Sequence, residues 1–145
     1  MNSISPDLNL MIKACEKACK VIIRDFGEIE KLQVSKKGPG DFVTKTDKKV
    51  ESIIIEELEK ARPNYGFIAE ETGRNINESE FNWVIDPIDG TSNFMHGIPH
   101  FAISIALEKN GEVISGIICD PIKNETFYAE KGRGSYVNNR RIRVS

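Results

Sequence analysis

Histidine, cysteine and tryptophan are scarce in this chain, which has two, three and one of them among 145 residues. No cysteine lies near the acidic motif treated below, and His96 and His100 follow it on the next loop and strand, where both read as structural. A zinc site is therefore not expected there, because zinc takes nitrogen and sulfur donors. Cys15, Cys19 and Cys119 read as small buried apolar residues, which points to a reducing, cytoplasmic setting. An excess of charge is missing too: 20 basic and 22 acidic side chains leave a net charge of −2, which argues against a broad nucleic-acid-binding face. The small basic group Arg133, Arg140, Arg141 and Arg143 reads as a solvated strand and turn surface. No apolar run approaches the ~20 residues that span a bilayer. No basic leader precedes an apolar block near Asp7, so a secretory signal is not expected. Internal repeats and low-complexity segments are absent.

What remains is enough for one domain with a real core, expected over residues 1–145. Ser5-Pro6 opens a helix, and Leu8, Met11, Ile12, Cys15, Cys19, Ile22 and Phe26 recur at helical spacing until Gly27. Lys36-Lys37-Gly38-Pro39-Gly40-Asp41 reads as a breaker-rich loop. Thr44 and Asp47 fit a second helix start, and Val50, Ile53, Ile54, Leu58 and Ala61 follow on one face before Arg62-Pro63. Gly66 to Ala69 and Trp83 to Ile85 are apolar strands, with residues 72–80 between them read as a surface loop. Past Phe101 the pattern turns to β hairpins, with Asn110-Gly111 as the clearest turn signal. The fold class expected is α+β, two helices packed on a largely antiparallel sheet.

The chemistry gathers where strands end. Trp83-Val84-Ile85 runs into Asp86-Pro87-Ile88-Asp89-Gly90-Thr91-Ser92-Asn93-Phe94, and the strand ending at Ala69 delivers Glu70-Glu71. Hard divalent cations take carboxylate and carbonyl oxygens, so Asp86 and Asp89 read as a magnesium platform. Taken alone, Glu70 reads as a solvated turn residue; with the two aspartates it reads as a third ligand, since three converging carboxylates repel unless a cation neutralises them. Gly90-Thr91-Ser92 supplies backbone N–H groups where a helix could begin, and such a terminus attracts phosphate. The segment lacks the alternating acids of an EF-hand loop. Its aspartates are three apart, not two apart as in haloacid dehalogenase phosphatases, so a covalent aspartate nucleophile is not expected.

The aspartate block, with Gly40-Asp41-Phe42-Val43-Thr44-Lys45-Thr46-Asp47 and Phe67-Ile68-Ala69-Glu70-Glu71 before it, resembles the inositol monophosphatase family, as does the tail Lys131-Gly132-Arg133-Gly134. The resemblance implies the amino-terminal part of a layered αβαβα sugar-phosphatase fold. It also implies magnesium-dependent, lithium-sensitive hydrolysis of phosphate monoesters such as inositol monophosphate, using two or three ions. Glu70, Asp86 and the Ile88 carbonyl match ligands of the first ion, and Asp86 with Asp89 match ligands of the second. Glu70, Thr91 and Asp47 match the catalytic group, in which Thr91 holds the attacking water with Asp47 as its partner; Asp47 reads equally as a helix cap. Asp89, Gly90 and Thr91 match the substrate-phosphate contacts. Lys36 matches a loop contact, and reads otherwise as a solvated lysine.

The resemblance covers nearly all of this chain but about half of the family pattern. The Trp-Asp motif that completes the second metal site in the family has no counterpart, since the one tryptophan is Trp83. The short chain alone is therefore expected to have weak metal binding and little phosphatase activity, and to expose apolar surface toward a second copy or a complementary carboxy-terminal half. Two other functions stay open. One is a bisphosphate nucleotidase or sugar bisphosphatase; the other is a non-catalytic module that binds a partner chain or transcription machinery.

Overall fold

A computed structural model describes residues 4–32, 38–75 and 80–144. Lys36 lies outside the described residues. The first helix, α1, spans Pro6–Leu32 and the second, α2, spans Gly38–Ala61. Ser5 caps α1, its hydroxyl accepting from the Leu8 amide at 3.1 Å. The helix continues past Gly27, where the sequence pattern predicts its end. A helical glycine costs only about 1 kcal/mol, and Ile29, 1% exposed, is carried into the core by the extra turn. α2 begins at Gly38, not near Thr44. Proline fits a helix's first turn because no intrahelical partner is lost there, so Gly38-Pro39-Gly40 starts the helix and is no loop. Thr44 is thus interior, its hydroxyl turned back to the Gly40 carbonyl at 3.1 Å, and Asp47 is no cap.

The strands are β1 (Gly66–Ala69), β2 (Gly73–Asn75), β3 (Phe81–Asp89), β4 (Ala102–Lys109), β5 (Glu112–Asp120), β6 (Glu125–Glu130), β7 (Gly134–Val137) and β8 (Arg140–Ile142). A short helix, α3 (Thr91–Met95), follows β3. The strands form one sheet in the order β2-β1-β3-β4-β5-β6-β7-β8. Pairing is antiparallel except for β1 with β3, so the α+β expectation holds. The stretch read as a loop after Glu71 contains β2, which folds back on β1 through Gly73 at φ 86°. The Asn110-Gly111 hairpin forms as predicted, both residues having positive φ, which its tight turn demands.

Both long helices lie on one face of the sheet, α1 against β4 and β5 and α2 against β3. The core between them holds Leu8, Met11, Ile22, Ile54, Leu58, Trp83, Ile105 and Ile117. The three cysteines are buried free thiols, and Cys19 on α1 meets Cys119 on β5 with 3.2 Å between sulfurs. Asp25 of α1 is 4% exposed and accepts from the Thr46 hydroxyl at 2.8 Å and from Lys49 at 3.0 Å, which locks α1 to the turn of α2 that carries Asp47. The opposite face of the sheet has no helix among the described residues. There Ile118, Phe127 and Ile142 are 51%, 37% and 37% exposed, around an apolar trough of about 370 Å³. No helix of the described residues is long and apolar enough to cross a membrane.

Candidate functional site

Parallel pairing of β1 with β3 sets the last residue of β1, Ala69, opposite Ile85, so Glu70 emerges next to Asp86. β3 does not stop at Ile85 as the sequence pattern predicts but runs on to Asp89, so both aspartates lie within the strand and only Glu70 lies past a strand end. On the other flank Asp86 pairs with Ser104 and Asp89 with Ala102, three steps along β3 against two along β4. The extra residue is a bulge, and Pro87, which has no N–H for the ladder, sits within it. In a regular strand residues three apart face opposite sides. Here the bulge reverses the alternation, and Asp89 acts electrostatically on Asp86 together with Glu70.

Gly90 follows with φ 99° and caps α3. A Cβ there would meet the His100 carbonyl oxygen at 3.0 Å, so only glycine fits both the backbone and the space. α3 is pinned by Phe94, which is fully buried and packs on Phe26 and Phe101 with ring centroids 5.6 and 5.0 Å away. The Asn93 amide donates to the His100 carbonyl at 2.8 Å and closes the loop after the helix. His96 lies against the Ser92 carbonyl of its own helix at 2.7 Å, and His100 is exposed. A cleft of about 320 Å³ opens beside Asp89 and Gly90, bounded by Asn93, His100, Asp120 and Phe127.

α2 packs against both β3 and α3, which brings Asp47 close to the acids that follow β1 and lie along β3. Asp47 is 7% exposed; burial first, then the charges of Glu70, Glu71, Asp86 and Glu51, push its carboxyl up to about 7. Burial and the charges of Glu70 and Asp89 push Asp86 up to about 6, against a smaller opposing effect of the Ile88 amide. Asp47, Glu70, Asp86 and Asp89 thus share one electrostatic neighbourhood, with Thr91 half-buried at the start of α3. No hydrogen bond joins Thr91 to Asp47 among the described residues. Nor do three aspartate, glutamate, histidine or cysteine side chains close into a ready-made metal cage among them.

The donor set nevertheless suits a hard cation. Asp47 Oδ1 and Asp86 Oδ1 are buried without a hydrogen-bond partner. Unpartnered buried carboxylate oxygens are costly, and an oxygen-seeking cation would relieve both. Motif reading missed Glu51, which lies one helical turn beyond Asp47 and is 1% exposed. The spacing of four was its only signal in the sequence.

The inositol monophosphatase family model matches residues 4–145. The chain is 52% identical over 139 residues to an inositol-1-monophosphatase of Mesorhizobium japonicum, covering 95% of this chain and 52% of that protein. It is 43% identical to the Nus factor SuhB of Xylella fastidiosa, covering 97% of this chain and 50% of that one. The crystal structure of the extragenic suppressor protein suhB from Bartonella henselae superposes with a TM-score of 0.87 at 50% identity, over 97% of this chain and 55% of that one. The chain spans about half the length of the curated relatives it matches. Sequence, sheet order and the acidic cleft agree: the chain belongs to the inositol monophosphatase family.

Proposed function

We propose that this chain carries the amino-terminal half of a magnesium-dependent phosphatase acting on phosphate monoesters such as inositol monophosphate. One observation carries the reading: two buried carboxylate oxygens without partners, on Asp47 and Asp86, lie among neighbouring acids that already disfavour ionisation. Glu70, Asp86, Asp89 and the Ile88 carbonyl would hold the cations. Bound there, magnesium supplies the positive charge that lowers the pKa of water and neutralises the phosphoryl oxygens and the leaving alkoxide. The protein's part is to position. The Gly90 and Thr91 amides donate to the phosphate, the Thr91 hydroxyl orients the attacking water, and Asp47 takes up the proton. Phosphoryl transfer asks little covalent help from protein, which suits a site without a serine or cysteine nucleophile. The cleft beside Asp89 has room for the rest of a small ester.

The test is phosphate release from inositol monophosphate with magnesium, by the chain alone and after mixing with a carboxy-terminal half taken from a full-length relative. Little turnover alone and restored turnover in the mixture is expected. No release in either preparation would refute the catalytic reading, and robust turnover by the chain alone would refute its dependence on a second half.

The open sheet face favours a second reading, a module that docks on a partner. Relatives named as Nus factors make transcription machinery a candidate partner, while a second copy of the chain would give a homodimer. Size-exclusion measurements on the chain, alone and mixed with a candidate partner, separate these outcomes.

A further inference from the structure

Glu51 is a buried carboxylate whose role is visible in its hydrogen bonds. One oxygen accepts from the Glu71 amide at 2.9 Å. The other accepts from the Thr72 amide and from the Thr72 hydroxyl, each at 2.7 Å. Two successive backbone N–H groups and one hydroxyl thus converge on a single side chain. All three belong to the turn that leaves β1, whose first residue is Glu70. Exposed turn residues ordinarily leave such amides to water. Here the turn is tied instead to the middle of α2, one helical turn from Asp47.

The ionic character of this contact needs a reason. A negative charge added to an already acidic cleft is unfavourable for Asp47, and a neutral residue would fill the same volume. A charged acceptor makes hydrogen bonds roughly twice as strong as a neutral one, so what the carboxylate provides is a firm hold. We propose that Glu51 is a positioning residue that fixes the turn 70–72, so that the Glu70 carboxylate stays beside Asp86 and is ready for a cation. The proposal rests on the cation-binding reading of the cleft. Partners that orient a metal ligand typically change affinity about 10–100-fold when they are replaced.

Mn²⁺ alone serves as the probe, with bound ion measured from the loss of the free-ion electron paramagnetic resonance signal. The wild-type chain, Glu51→Gln and a core control on β5, Ile117→Val, are compared at equal folded fraction. Amide hydrogen exchange at Glu71 and Thr72 is the second readout. Wild type is expected to bind Mn²⁺, Glu51→Gln to bind it roughly 10–100-fold more weakly, and Ile117→Val to match wild type. Both amides should exchange slowly in wild type and quickly in Glu51→Gln. Should Glu51→Gln fail to fold, Thr72→Val, which removes one of the three bonds, should give a smaller loss in the same direction. Equal affinity in wild type and the folded variants, an equal loss in Ile117→Val, or fast exchange of both amides in wild type would each overturn the proposal. If wild type binds no Mn²⁺ while Glu51 still protects both amides, the cation reading falls and the anchoring of the turn stands.

Discussion

Asp47→Asn should make the chain more stable in chelator at alkaline pH, although it removes a residue proposed to serve catalysis. In the fold Asp47 titrates at about 7 against an ordinary value of 3.8. Over the roughly three pH units between, the folded chain keeps a proton that the unfolded chain has released. Folding therefore loses stability steadily as pH rises from about 4, and the full cost applies above about 7. At ~1.4 kcal/mol per pH unit the interval is worth about 4 kcal/mol. The neighbouring acids titrate together with Asp47 and share the repulsion, so a gain of about 2 kcal/mol is expected for asparagine, which cannot ionise. The assay is urea unfolding of both proteins in chelator, from about pH 4 to about pH 8. Asparagine brings its own packing and hydrogen bonds, but these do not vary with pH, so the slope of the difference is the quantity to read. A difference that stays flat across that range, or one that favours wild type increasingly as pH rises, would refute the electrostatic account of the cleft.

Gly90→Ala should destabilise the chain by about 2–4 kcal/mol in urea unfolding, since a left-handed backbone at φ 99° and a contact of 3.0 Å act together. Asp25→Asn should cost about 1.5–3 kcal/mol at neutral pH. Burial alone would raise the Asp25 carboxyl, but the Thr46 hydroxyl, Lys49 and Arg24 more than offset it and hold it below the ordinary value. Its contribution is therefore present above about pH 4 and lost as pH falls through the lowered value, so the gap between wild type and Asp25→Asn should close in acid. Phe127→Lys should leave the circular dichroism spectrum and unfolding midpoint nearly unchanged while weakening any self-association seen by analytical ultracentrifugation, because this side chain lies on the open sheet face.

The residues that announce themselves in sequence are those whose neighbours are local. Ser5 caps the helix that Pro6 begins, Asn110-Gly111 makes its hairpin, and Asp86 and Asp89 stand three apart on one strand. What escaped reading depends on contacts distant in sequence. α1 runs through Gly27 because Ile29 finds a core to enter, a reward that only the folded sheet offers. Pro39 reads as a breaker because its tolerance in a first turn depends on where the helix starts, and nothing local marks that point. Glu51 reads as one more acidic helix residue until the turn 20 residues later closes on it. The same holds for Asp25, whose partners Thr46 and Lys49 lie on another helix.

The irregularity in β3 makes the arrangement of the acids a question of parity. Which side of a sheet a strand residue takes depends only on whether its position counts odd or even from a neighbour, so a single surplus residue exchanges the two sides for everything beyond it. Removing one residue between Asp86 and Asp89 would return the strand to even counting, carry Gly90 out of phase with His100 and turn α3 away from α2. The tolerance of this segment to substitution and its tolerance to deletion should therefore differ sharply: Ile88 can exchange for another apolar side chain, but its place in the count has no substitute.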